Sequence, residues 1–203
     1  MDAQYLYIIF SSTPNRMGRF IRFVTGSVYN HISIAFDENL STMYSFARRY
    51  YRTPLYGGFV TEHPSRYHIR KKAAEIMVCK IPISSEDYAS LSNRIADMEH
   101  NREHFIYNHF SAIAASFRRS YPITDAYICS EFCISLLKDI GFSLPDKNYL
   151  SICEIRQCLQ PYCVYSGPMP PCNSTDAQYF SKHPVTRPFL STLRLFYKLV
   201  KRV

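Results

Sequence analysis

The stretch YNHISIAF, residues 29 to 36, constrains the fold more than any other. Apolar and small or polar side chains alternate through it, which is the period of a strand and not of a helix. Ile32, Ile34 and Phe36 form one face, read as core, and His31, Ser33 and Ala35 form the other. The turn DENLS follows, and alternation resumes over 42 to 47 with Met43, Ser45 and Ala47 on one face. Two alternating runs across a short turn predict a β-hairpin. Centred near Asn39, that hairpin sets His31 opposite Ala47 and diagonal to Ser45. The small face of the first strand leaves room for a helix to approach closely.

Further elements follow the same logic. YLYIIF at 5 to 10 reads as a buried strand, and RMGRFIRFVTG at 16 to 26 as a short helix stopped by Gly26. GGFVTE and AEIMVCKIPI supply extended segments. SSEDYASLSNRIADMEHN begins with capping serines and nearby acids, and predicts a helix. Residues 105 to 117 and YLSICEIRQCLQ read as helices, and CVYSG as a short strand. Strands come first and helices later, an order that predicts an α+β domain.

Near residue 167 the sequence changes character. GPMPPCNSTDAQ is rich in proline and small polar residues and reads as a linker. The expected organisation is a domain over 1–167, a Pro-rich linker over 168–185 and a basic amphipathic helix over 186–203. In that helix Phe189, Leu190, Leu193, Phe196, Leu199 and Val200 are apolar, beside Arg194, Lys198, Lys201 and Arg202. Such a helix docks on its domain or contacts an anionic membrane surface.

The net charge of +8 permits an acidic partner without choosing one. No Lys/Arg run outside the C-terminal end and no RNP or zinc-finger motif is present, which argues against nucleic acid. None of the seven cysteines forms a CxxC pair, so no structural metal is expected. His100, His104 and His109 lack acidic or cysteine partners at ligating spacing. The residues MDAQYLYIIFSSTPNR do not resemble a signal peptide, so free thiols in a reducing cytoplasm are the expectation. No cofactor is implied.

The chemistry centres on AYICSEFCISLLKDIG, residues 126 to 141, a predicted amphipathic helix ended by Gly141. Phe132, Cys133, Leu136, Leu137 and Ile140 form its apolar stripe, and Cys129 shares that face in the first turn. With Thr124 or Asp125 as a cap, the helix dipole there favours a thiolate, and exposed N–H groups suit an oxyanion. Cys129 is thus a candidate nucleophile, with Cys133 a weaker one a turn deeper, and His31 a candidate base. Ser45 or Glu62 is available to orient the imidazole, a carboxylate holding an imidazolium better than a hydroxyl does. The competing reading is plain: a free cysteine is commonly a small buried hydrophobe.

NHISIAF followed by YSFAR, and YICSEFCISLL about a hundred residues later, resemble the circularly permuted papain-like hydrolases of the NlpC superfamily, especially the YiiX-like branch. In that group the histidine strand precedes the cysteine helix. The resemblance covers about residues 4 to 167. It implies a permuted papain-like fold, in which an antiparallel sheet or half-barrel carrying the histidine packs against the helix carrying the cysteine. It also implies a thiol hydrolase with Cys129 as nucleophile, His31 as general base and a third polar residue orienting His31. The family's third position on the second hairpin strand is often His, Asn, Gln or Glu, and here it is Ser45. The implied reaction is cleavage of an amide or peptide bond through an acyl-enzyme. The alternatives are a lipid acyl hydrolase or acyltransferase, associated with a membrane through the tail helix, and an inactive papain-like binding module. Partners are accordingly a peptide, an amide or a lipid ester.

Overall fold

A computed structural model describes residues 3–13, 27–69, 72–181 and 188–202. The helix expected at 16 to 26 lies outside the described residues. The strands are β1 (Gln4–Ser12), β2 (His31–Ala35), β3 (Met43–Arg48), β4 (Gly57–Glu62), β5 (His68–Ile69), β6 (Lys72–Ala73), β7 (Glu75–Ile83), β8 (Ile106–Tyr107), β9 (Ala126–Tyr127) and β10 (Cys163–Pro168). The helices are α1 (Ser85–His100), α2 (His109–Ala114), α3 (Cys129–Asp139), α4 (Ile152–Leu159), α5 (Ala177–Phe180) and α6 (Pro188–Val200). Eight strands form one sheet in the order β10-β7-β1-β2-β3-β4-β8-β9, and β5 and β6 form a separate ribbon. The sheet is mixed: its pairs are antiparallel except for β8 and β9, which run parallel. The fold is therefore α+β.

The predicted hairpin forms in the predicted register, since Ile34 pairs with Tyr44. Continued along both strands, that pairing places His31 opposite Ala47 and Ser33 opposite Ser45. The two faces of the sheet bury different things. Ile32 and Ile34 share a core cluster with Phe46, Phe59, Phe132, Cys133, Leu136 and Leu137, so α3 packs on the large-residue face. This corrects the expectation that the helix would approach the small face. Large apolar side chains remove more area from water, roughly 25 cal/mol for each Å², so the face that offers Ile and Phe captures the helix. Leu91, Ile95 and Met98 of α1 and Ile155 and Leu159 of α4 join the same cluster.

The opposite face carries a second apolar cluster. Tyr7, Ile9, Ala35, Met43, Ile76 and Val78 pack there with Tyr67, Ala74 and Met169. The Pro-rich segment is consequently not a free spacer. The Met169 amide donates to the Ala74 carbonyl at 2.8 Å, and Arg66 pairs with Asp176 at 2.6 Å. Met169 and Tyr179 are buried, which gives the segment an apolar reason to stay down. The tail helix docks as well. Leu195 and Leu199 of α6 pack with Ile106, Ile123 and Ala126, and Arg202 donates to the carbonyls of His104, Thr124 and Asp125. Among the described residues no helix is long and apolar enough to cross a membrane.

Candidate active site

The site is assembled from the first residue of a helix and the first residue of a strand. α3 begins at Cys129, three residues later than the sequence pattern suggested. Residues 126 and 127 are withdrawn into β9 by pairing with Ile106 and Tyr107. Thr124 and Asp125 therefore do not cap the helix. Asp125 occupies a left-handed turn at φ 55, and its carboxylate pairs with His104 at 2.9 Å. Ile128 stands at the N-cap position, where the Glu131 carboxylate accepts from its amide at 3.0 Å and from Ser120 Oγ at 2.6 Å. Residues 118 to 125 thus reach the start of α3.

Cys129 and His31 are neighbours at that point. The thiol lies close enough to act on the imidazole, and both residues are buried, 8 % and 9 % exposed. The approach is made at the end of β2 and not across its face, because only the first turn of α3 reaches the strand's first residue. Cys133, one turn further on, is fully buried, and burial pushes its thiol far above the usual range. It is a packing residue.

Glu62, and not Ser45, partners His31. The imidazole Nε2 lies 3.1 Å from Glu62 Oε1 and 3.2 Å from Oε2, and Glu62 is itself 5 % exposed. Ser45 sits in β3 opposite Val60, and its buried hydroxyl finds no hydrogen-bond partner among the described residues. The physical cause is reach. Glu62 ends β4 opposite Met43, and its long side chain turns back beneath Ser33, which donates to it at 2.8 Å. A serine on the intervening strand is too short to span the same gap.

The electrostatics follow from the geometry. Burial by itself would lower the His31 pKa, but the Glu62 charge and hydrogen bonds to Cys129 and Glu62 overcome it and raise His31 from 6.5 to about 10. Burial would likewise raise Glu62, yet the imidazolium, Arg66 and the Tyr67 hydroxyl lower it from 4.5 to about 2. At neutral pH the pair is imidazolium and carboxylate. The ring is thus charged beside the thiol, a state that suits a proton donor and not the general base expected from the sequence.

The other residues singled out in the sequence have structural partners. His104 faces Asp125, and His109 Nε2 donates to the Leu55 carbonyl at 3.0 Å while its ring stacks on Phe196 at 4.8 Å. Nearby, Arg49 is buried against Glu103, and Arg48 donates to the Tyr179 hydroxyl at 2.8 Å. A cavity of about 280 Å³ adjoins these residues and is bounded by Arg49, Tyr56, Glu62 and Arg66, among others. Sequence reasoning did not single out Ser33 as a partner of Glu62, nor Tyr67, whose hydroxyl is 2.5 Å from Glu62 Oε2. The alternation that placed Ser33 on the face of His31 was a usable signal, whereas nothing local marked Tyr67.

No protein-family model matches the chain, and no curated protein or solved structure matches it significantly.

Proposed function

We propose that the protein is a cysteine hydrolase that cleaves an amide or peptide bond through Cys129, His31 and Glu62. The observation that carries this reading is a buried imidazole held by a carboxylate at 3.1 Å, with the Cys129 thiol as its buried neighbour. The order of the parts, histidine strand before cysteine helix, supports a permuted papain-like architecture of the NlpC superfamily, YiiX-like branch. Burial of the site and free thiols elsewhere fit work in a reducing cytoplasm.

In the proposed reaction the Cys129 thiolate attacks the carbonyl carbon, and first-turn amides of α3 stabilise the oxyanion. The His31 imidazolium gives its proton to the leaving amine as the tetrahedral adduct collapses to a thioester. The neutral imidazole then takes a proton from water, which attacks the thioester and frees the acid and the thiol. Glu62 keeps the ring oriented and stabilises its charge throughout.

The test is the pH dependence of Cys129 alkylation by iodoacetamide, read by peptide mass spectrometry. Cys129 reacts faster than the other six cysteines below pH 8 and loses that advantage in His31→Ala. Equal reactivity of all seven leaves only a packing role, and the reading of an inactive binding module replaces hydrolysis.

A lipid ester is a second substrate reading, supported by the outer side of α6. Leu193, Tyr197 and Val200 are exposed there, beside Arg194 and Lys198. Flotation with anionic liposomes, with and without residues 186–203, separates it from a soluble amide substrate.

A further inference from the structure

Glu62 is surrounded by more donors than orienting a histidine requires. Its Oε2 accepts from Ser33 Oγ at 2.8 Å and from the Tyr67 hydroxyl at 2.5 Å, and His31 Nε2 is shared between its two oxygens. Ser33 Oγ and the Tyr67 hydroxyl are 2.7 Å apart. Ser33 is 0 % exposed and Tyr67 2 %, so no solvent competes for these protons.

The protons can be counted. A serine hydroxyl and a phenol carry one each. Both point at Glu62, or one does and the other points at its neighbour's oxygen, and the shorter contact to Glu62 is that of Tyr67. In every arrangement Glu62 is the acceptor. Donors converging on the carboxyl group favour its ionised form, since hydrogen bonds to the charged state stabilise it. Beside an ionised Glu62, His31 Nε2 carries its hydrogen toward the carboxylate.

Two local devices hold the donors in place. Ser33 is two residues from His31 on the same face of β2. Tyr67 ends a 3-10 turn over Pro64–Tyr67 that starts just after β4, where the His63 ring accepts from the Ser65 amide at 3.1 Å. The turn folds the chain back so that Tyr67 meets Glu62 five residues earlier.

We propose that Tyr67, seconded by Ser33, is a positioning residue of the active site: it donates to Glu62 and thereby keeps that carboxylate ionised and aimed at His31. This role rests on the thiol-hydrolase reading of Cys129 and His31. Tyr67 does not touch the reacting atoms. Burial, together with the neighbouring Glu62 charge, holds its phenol well above the usual range, so it stays a donor throughout the working pH range. The other charged or titratable groups facing Glu62 are His31 from β2, Arg66 from the same turn and Tyr179 from α5.

The test labels glutamate side chains with carbon-13 and follows the Glu62 carboxyl signal from pH 7 downward. Glu62→Gln assigns the signal. In the wild type Glu62 stays ionised down to about pH 2. Tyr67→Phe removes one charge-assisted donor and moves the titration up by about one to two pH units. Ser33→Ala moves it in the same direction and serves as the readout should Tyr67→Phe fail to fold. A titration unmoved in the folded variants overturns the positioning role, whatever Cys129 does. Alkylation of Cys129 with and without His31→Ala is measured separately. If Glu62 shifts but Cys129 ignores His31, the network exists without a dyad, and the active-site role of Tyr67 falls with it.

Discussion

Replacing Glu62 by glutamine removes one charge and almost no volume, so it isolates what that charge does to His31. The separation of 3.1 Å between Nε2 and Oε1 sets the size of the effect. At an effective dielectric of roughly 20, two unit charges at that distance attract by about 5 kcal/mol. At 1.36 kcal/mol for each pH unit this is about 4 units. His31, raised to about 10 in the native protein, should therefore titrate near 6 or below in Glu62→Gln, because burial then acts against the charge unopposed. The assay is a long-range nitrogen–proton correlation spectrum of the histidine rings between pH 5 and 10, with the His31 signals assigned by their loss in His31→Asn. The wild-type ring stays doubly protonated through pH 9, and the variant ring is neutral at pH 7.5. Stability falls by less than the roughly 3–5 kcal/mol cost of an unpaired buried charge, because His31 sheds its proton instead. A ring that remains an imidazolium above pH 9 in Glu62→Gln refutes the reasoning, since its charge would then be held by something other than this carboxylate.

Three further outcomes are expected. Stability against denaturant should depend on pH through the same pair. Glu62, lowered from 4.5 to about 2, contributes fully above 4.5 and loses its contribution as pH falls toward 2. His31, raised from 6.5 to about 10, contributes fully below 6.5 and loses its contribution as pH rises toward 10. The maximum from this pair lies between those limits, and urea melts at pH 3, 5.5 and 9 should show it flattened in Glu62→Gln. Phe132→Ala should cost about 3–5 kcal/mol in the same melts, because a ring only 1 % exposed sits 5.2 Å from Phe46 and 5.9 Å from Phe59. Gly58→Ala should cost about 1–3 kcal/mol, since the added methyl meets the Phe105 carbonyl oxygen, which is backbone, and Arg49 Nη2 at 2.8 Å; unchanged stability would mean that β8 is free to move away from β4.

By itself the sequence determined everything that depends on local period. Alternation over 29 to 36 placed Ile32 and Ile34 against His31 and Ser33, and the short turn set the hairpin register later seen as the Ile34–Tyr44 pair. The apolar stripe of residues 129 to 139 made a helix and put Cys129 in its first turn. Both placements are local, because each element needs only its own few residues to define its faces. Long-range packing decided the rest. Which face of the sheet receives α3 depends on how much apolar area each face can bury, and that sum runs over strands far apart in the chain. Whether Ala126 and Tyr127 continue the helix or leave it depends on Ile106 and Tyr107 being there to pair with them. The proline-rich residues near 170 stay down because Met169 is buried in an apolar cluster with residues of β1, β3 and β7. The choice between Ser45 and Glu62 was likewise beyond any local pattern. It was settled by side-chain length across two strands, and by Ser33 and Tyr67 meeting a carboxylate where no solvent can replace them.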